Sequence, residues 1–172
     1  MKNLVILNGF PRSGKDEFAN LLINHFYTYD ICGALISSVE VIKEVALLLG
    51  WNGEKDQASR NALSELKDLA TKHWDSPFKM MCENADNISS EEAIIFIVRE
   101  PIEIERFKQK YPETITIFIE RDNHETANNH ADLDCGNYFY DLYIENNGTL
   151  EQLEESAIQL ISDLFNKGEQ NG

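Results

Sequence analysis

The stretch Leu4-Val-Ile-Leu-Asn-Gly9-Phe-Pro-Arg-Ser-Gly14-Lys15-Asp16 decides the fold. Its four consecutive apolar residues, Leu4 to Leu7, have the pattern of a strand buried on both faces of a parallel sheet. A glycine-containing turn follows. Phe18, Leu21, Leu22 and Phe26 then recur at helical spacing. Gly9 to Lys15 match G-x-x-x-x-G-K. The residue types have physical reasons. Glycines let backbone N–H groups turn inward around phosphate oxygens. The helix opening near Lys15 adds its positive N-terminal end. Lys15 brings a flexible point charge that can follow terminal phosphates. The bland alternative is an ordinary glycine-rich strand–helix turn. The buried strand before the motif and the amphipathic helix after it weigh against that.

Asp16 stands where Ser or Thr is usual. A carboxylate is a hard oxygen ligand that can bind Mg²⁺ or hold a metal-bound water. Without a cation it would repel phosphates. Affinity for a nucleotide is therefore expected to depend strongly on Mg²⁺. A cap at the helix start, where negative charge is also favourable, is the competing reading.

Working outward, Ala34 to Ser37 reads as a short second strand. Ser37 and Glu40 form an S-x-x-E capping pattern before Val41, Ile42, Val45, Leu48 and Leu49. Residues 57–74 read as a helix with Ala62, Leu66, Leu69, Ala70 and His73 on one side, broken by Pro77. A short helix through Met80 and Met81 comes next. Residues 93–98 are the clearest buried strand. Pro101 suits the first position of a helix that Pro112 ends. Residues 114–119 are β-branched and strand-like. Residues 121–135 are polar and aperiodic, the pattern of a mobile loop. Residues 138–144 read as the last strand, its Phe139, Tyr140 and Tyr143 as strand packing. Thr149 and Gln152 open a strong terminal helix, and a polar tail follows. Trp51 and Trp74 flank helices and read as packing residues. Strands alternating with helices imply right-handed βαβ units. The expected fold is α/β, a three-layer α/β/α domain over residues 1–167 with a five-stranded parallel sheet. The loops after Leu7, Val98 and Ile119 then share its carboxyl edge, where such sheets bind ligands.

Composition narrows the partners. Fifteen Lys+Arg against 30 Asp+Glu give a net charge of −15 in 172 residues. Such a surface repels nucleic-acid backbones and anionic membranes, while a small anionic ligand remains possible where basic residues converge. Cys32, Cys82 and Cys135 are too few for a disulfide framework, and a reduced, cytoplasmic setting fits. No apolar run approaches the roughly 18 residues of a membrane span. His and Cys show no metal-ligand spacing.

The G-K-D loop resembles that of phage-type deoxynucleoside monophosphate kinases and animal-type phosphomevalonate kinases, related P-loop kinases. Ile97-Val-Arg99-Glu-Pro-Ile-Glu103 looks like their D-x-R-x-x-x-E segment. Asp132-Leu-Asp-Cys135-Gly136 lies where they carry an acidic, glycine-containing loop. Asp141-Leu-Tyr-Ile-Glu-Asn146-Asn147-Gly148 looks like their closing D-x-x-I-x-N-x-G. The resemblance implies a nucleotide-kinase-like P-loop NTPase fold and transfer of the γ-phosphoryl of ATP, with Mg²⁺, to a small phosphorylated acceptor. A (deoxy)nucleoside monophosphate is the first choice and phosphomevalonate the second. Such chemistry rests on positioning and charge neutralisation.

On this reading Gly9, Arg12, Ser13, Gly14, Lys15, Asp16 and Glu17 hold the ATP phosphates. Asp16 and Glu100 organise Mg²⁺. Lys15, Arg99 and Arg121 serve the transfer. Arg12, Arg60, Arg99 and Arg121 are the cations for the acceptor, because arginine recognises phosphate bidentately. Surface ion pairing competes as an explanation for each. Arg106, beside Lys108 and Lys110, reads as a solvated face. Helices within about 40–88 would bind the acceptor, and a lid over about 121–137 would exclude water. His130 with Asp132, or His124 with Glu125, match the family's lid loosely. One departure stands out: Ile97 occupies the place of the family's metal-linked Asp. It motivates a rival reading, a nucleotide-binding protein with weak or no transferase activity.

Overall fold

The computed structural model describes residues 3–54, 56–89, 92–122 and 134–169. His124, Glu125, His130 and Asp132, and most of the loop expected over 121–135, lie outside these residues. Strands β1 (Asn3–Gly9), β2 (Gly33–Ser37), β3 (Ala93–Ile97), β4 (Ile115–Glu120) and β5 (Leu142–Glu145) form one parallel sheet of order β2-β3-β1-β4-β5. β1 lies at its centre. Leu7 pairs with Ile97 of β3, and Gly9 pairs with Ile119 of β4. Helices cover both faces, giving the expected three-layer α/β/α fold.

The alternation along β1 decides which helix goes where. Val5 and Leu7 join Ile95, Ile97, Ile117 and Ile119 on one face. Helix α1 (Lys15–Tyr27) buries Phe18, Leu22 and Phe26 there, and the terminal helix, here α6 (Leu150–Glu169), adds Leu153, Ala157 and Ile161. On the other face Phe96 meets Phe107 and Tyr111 from helix α5 (Pro101–Lys110) and the residue that follows it. The helices after the adjacent strands β1 and β3 thus lie on opposite faces. That arrangement opens a crevice between the carboxyl ends of those two strands.

The chain divides into two compact units, Met1–Leu35 with Ser89–Gly172, and Ile36–Ile88. The second contains α2 (Ser38–Leu48), α3 (Gln57–Trp74) and α4 (Ser76–Asn87), packed on one another around Ile42, Ala46, Ala70, Met81, Cys82 and Ala85. Ser37 caps α2 by accepting from Val39 N–H, while Glu40 pairs with Lys43 rather than closing the capping box. Asp75, at φ 55°, reverses the chain between α3 and α4.

Three sequence expectations change. In α3 only Ala70 of the expected apolar side is buried, together with Lys67, because the helix packs along a narrower stripe. Trp74 is 63% exposed instead of packed. Residues 138–141 precede β5 instead of belonging to it; Tyr140 is buried there, whereas Phe139 is 96% exposed. The Thr149–Gln152 box does form, with Gln152 Oε1 accepting from Thr149 N–H and Thr149 Oγ1 from Gln152 N–H. No helix among the described residues is long and apolar enough to cross a membrane.

Candidate functional site: the phosphate loop and its supports

Buried β1 ends at Gly9, and α1 begins six residues later with Gly14 as its N-cap. Between them Ser13 N–H donates to the Phe10 carbonyl at 3.1 Å, closing a tight turn. Gly14 has φ 94°, and a Cβ there would meet the Asn146 side chain. A Cβ on Gly9 would stand 2.6 Å from the Ile119 carbonyl oxygen. Both positions therefore require glycine. Arg12 adopts φ 61°, an unusual left-handed conformation for a side-chain-bearing residue, and is exposed.

The loop leaves the first turn of α1 open. No side chain caps it, so its leading N–H groups and the helix's positive end are left for another partner. Lys15 is 5% exposed and its Nζ donates to the Phe10 carbonyl at 3.3 Å. The ammonium thus lies folded over the loop. Asp16 and Glu17 are exposed in the same first turn. Ser13 is fully buried, and its hydroxyl has no hydrogen-bond partner among the described residues.

Two asparagines brace this loop. Asn8 is fully buried at the end of β1. Its Oδ1 accepts from Gly9 N–H, and its Nδ2 donates to the Arg99 carbonyl and to the Tyr140 hydroxyl. Tyr140 in turn donates to the Cys135 carbonyl at 2.6 Å. Burial pushes the Tyr140 phenol well above its ordinary range, so it stays a neutral donor. On the other side Asn146 N–H donates to the Glu120 carbonyl, and its Nδ2 donates to the Ser13 carbonyl at 2.8 Å. A polar residue closing an apolar run just before the motif is the signal that marks Asn8 in the sequence. Asn146 carries no signal beyond its place in the closing segment.

The structure brings most of the candidates to one edge. Gly9, Arg12, Ser13, Gly14, Lys15, Asp16 and Glu17 form the loop and first turn. Arg99 and Glu100 follow β3 and are tied to β1 through Asn8; Glu100 is the N-cap residue of α5. Arg121 follows β4, exposed, and the next residue donates to Asn147 Oδ1 at 2.8 Å. Arg60 is exposed on α3, in the other unit. Ile97 faces the α1–α6 core. Cys135 opens a 3-10 turn, Cys135–Asn137, and is fully buried. No group of three or more metal-ligand side chains gathers among the described residues.

The edge at β5 is closed by Asp141. Thr116 donates to its Oδ2 through both N–H and hydroxyl at 2.8 Å, and Lys108 approaches at 3.1 Å. Partial burial opposes ionisation of Asp141, but these donors outweigh it and hold its carboxyl below the usual aspartate range.

No protein-family model matches the chain, and no curated protein does. Solved structures share its fold. The shikimate kinase from Aquifex aeolicus superposes with a TM-score of 0.54 at 12% identity, over 94% of this chain and 96% of that one. The APS kinase of Mycobacterium tuberculosis gives 0.53 at 10% identity, over 93% and 97%. A sugar kinase from Janibacter sp. gives 0.51 at 13% identity, over 94% and 95%.

Proposed function

We propose that the chain transfers the γ-phosphoryl group of ATP to a small phosphorylated acceptor, first of all a (deoxy)nucleoside monophosphate. One observation carries this reading: the uncapped start of α1, framed by Gly9 and Gly14, with the Lys15 ammonium folded over it. The shared fold adds support, since the three superposed structures named above are kinases. One of them, the M. tuberculosis APS kinase, is known with AMPPNP and APS bound.

In this reading the N–H groups of residues 12–17 and Lys15 Nζ hold the donor phosphates. Asp16 and Glu100 offer the hard carboxylate oxygens that suit Mg²⁺, which takes one or two carboxylates beside phosphate oxygens and water. The ion, when bound, neutralises phosphate charge. Arg99, Arg121 and Arg12 bind the acceptor phosphate or the group in transfer. Arg60 and the helices within about 40–88 bind the acceptor. A lid over about 121–137 excludes water, within one kinase-like domain. The setting is cytoplasmic in this reading, since three cysteines are too few for a disulfide framework. An acidic surface makes nucleic acid and membrane poor partners.

A second reading rests on Ile97. Its side chain belongs to the core, so the carboxylate that the resembled kinases carry there is missing. Glu100 or Asp16 must replace it, or the protein binds ATP without transferring phosphate. ADP release from ATP–Mg²⁺, measured across ribo- and deoxynucleoside monophosphates and phosphomevalonate, separates these readings. Acceptor-dependent turnover that vanishes in Lys15→Ala supports the kinase and names its substrate. ATP binding without turnover on any acceptor favours the second reading.

A further inference from the structure

Asn146 lies far along the chain from the Gly9–Lys15 loop, yet its side chain reaches it directly. Its Nδ2 donates to the Ser13 carbonyl across 133 residues. The same side chain occupies the space beside Gly14 that any Cβ would need. Its main-chain N–H is anchored to the end of β4 through the Glu120 carbonyl at 2.7 Å. The donor is thus delivered from a rigid sheet edge.

The consequence follows from peptide geometry. The Ser13 carbonyl and the Gly14 N–H belong to one planar peptide unit and point in opposite directions. A donor that holds the carbonyl on the Asn146 side fixes the N–H on the other. Gly14, free of the Cβ penalty at φ 94°, allows that unit to rotate, so something must hold it. We propose that Asn146 is a positioning residue for the phosphate loop. It locks the Ser13–Gly14 peptide so that the Gly14 N–H joins the donors offered to phosphate. This deepens the nucleotide-site reading above and rests on it.

The test uses the full chain and two probes, ATP–Mg²⁺ and inorganic tripolyphosphate. The second has phosphates but neither ribose nor base. Asn146→Asp keeps the shape and replaces the donor by a charge that repels the Ser13 carbonyl. Asn146→Ala is the second variant, and thermal melting reports whether each folds. The expected result is a loss of affinity for both probes by the same factor, roughly tenfold or more, as for one strong hydrogen bond or preorganised donor lost. The melting temperature alone does not produce this pattern. A loss for ATP with tripolyphosphate unchanged would assign Asn146 to the base or ribose and overturn the inference. Unchanged affinity for both in either folded variant overturns it too. A wild-type chain that binds neither probe defeats the nucleotide-site reading itself, and the inference with it.

Discussion

The side-chain amide of Asn8 donates to the main-chain carbonyl of Arg99 over 2.9 Å, joining the ends of two neighbouring strands from positions 91 residues apart. The same nitrogen reaches the Tyr140 hydroxyl, and the amide oxygen receives Gly9 N–H. One buried side chain therefore sets the start of the phosphate loop and the backbone that carries Arg99. Asn8→Asp keeps the acceptor but loses both donor bonds inside the protein. Its expected cost is about 2–3 kcal/mol of stability, measured by urea unfolding. A loss within experimental scatter would show that the contact is incidental.

Tyr140→Phe removes the hydroxyl between Asn8 and the Cys135 carbonyl. The ring stays packed on Phe118, 4.9 Å between centroids. Only the hydrogen bonds are lost, so the expected destabilisation is about 1–2 kcal/mol. Thermal melting of the two proteins checks it.

Ser13 carries a buried hydroxyl that the described residues leave unsatisfied. An unpaired buried polar group costs stability, and removing it relieves that cost. Ser13→Ala is expected to hold or raise the stability of the ligand-free chain, by up to about 1 kcal/mol. A clear drop in the unfolding midpoint would contradict this.

Asp141 gives the molecule an acid-sensitive edge. Its folded-state carboxyl titrates below the ordinary aspartate range. Its contribution is therefore fully present above the unfolded value, about 3.9, and is lost as pH falls through the lower folded one. The side chain is 45% exposed, so solvent screening keeps the effect modest. Asp141→Asn is expected to melt lower than the wild type at pH 7, with the gap narrowing below about pH 4. Melting curves across that range check it; a gap independent of pH would remove the charge from the explanation.

The core sheet and the Gly9–Lys15 loop were legible in the sequence because their signals are local. Leu4–Leu7 form an apolar run, Phe18 to Phe26 keep helical spacing, and the two glycines mark the loop between them. Thr149 and Gln152 likewise meet within one helical turn. The contacts that were not legible join residues far apart in the chain. Asn8 touches Arg99 and Tyr140, and Asn146 touches Ser13, pairings that no periodicity encodes. Tyr140 shows the same limit. Aromatic residues at 138–143 look like strand packing, yet Tyr140 is buried ahead of β5 to serve Asn8 while Phe139 points to solvent. In α3 the hydrophobic spacing is too sparse to name the buried stripe, which includes the stem of Lys67.

The proposed ATP site is the Gly9–Asp16 loop. Calorimetric titration of ATP–Mg²⁺ into the wild type and into Lys15→Ala tests it most directly. Saturable one-site binding is expected in the wild type. Affinity at least about tenfold weaker is expected in Lys15→Ala, the loss of one charge-assisted contact, with the fold retained. Equal affinity in the two proteins, or no binding by the wild type, would contradict it.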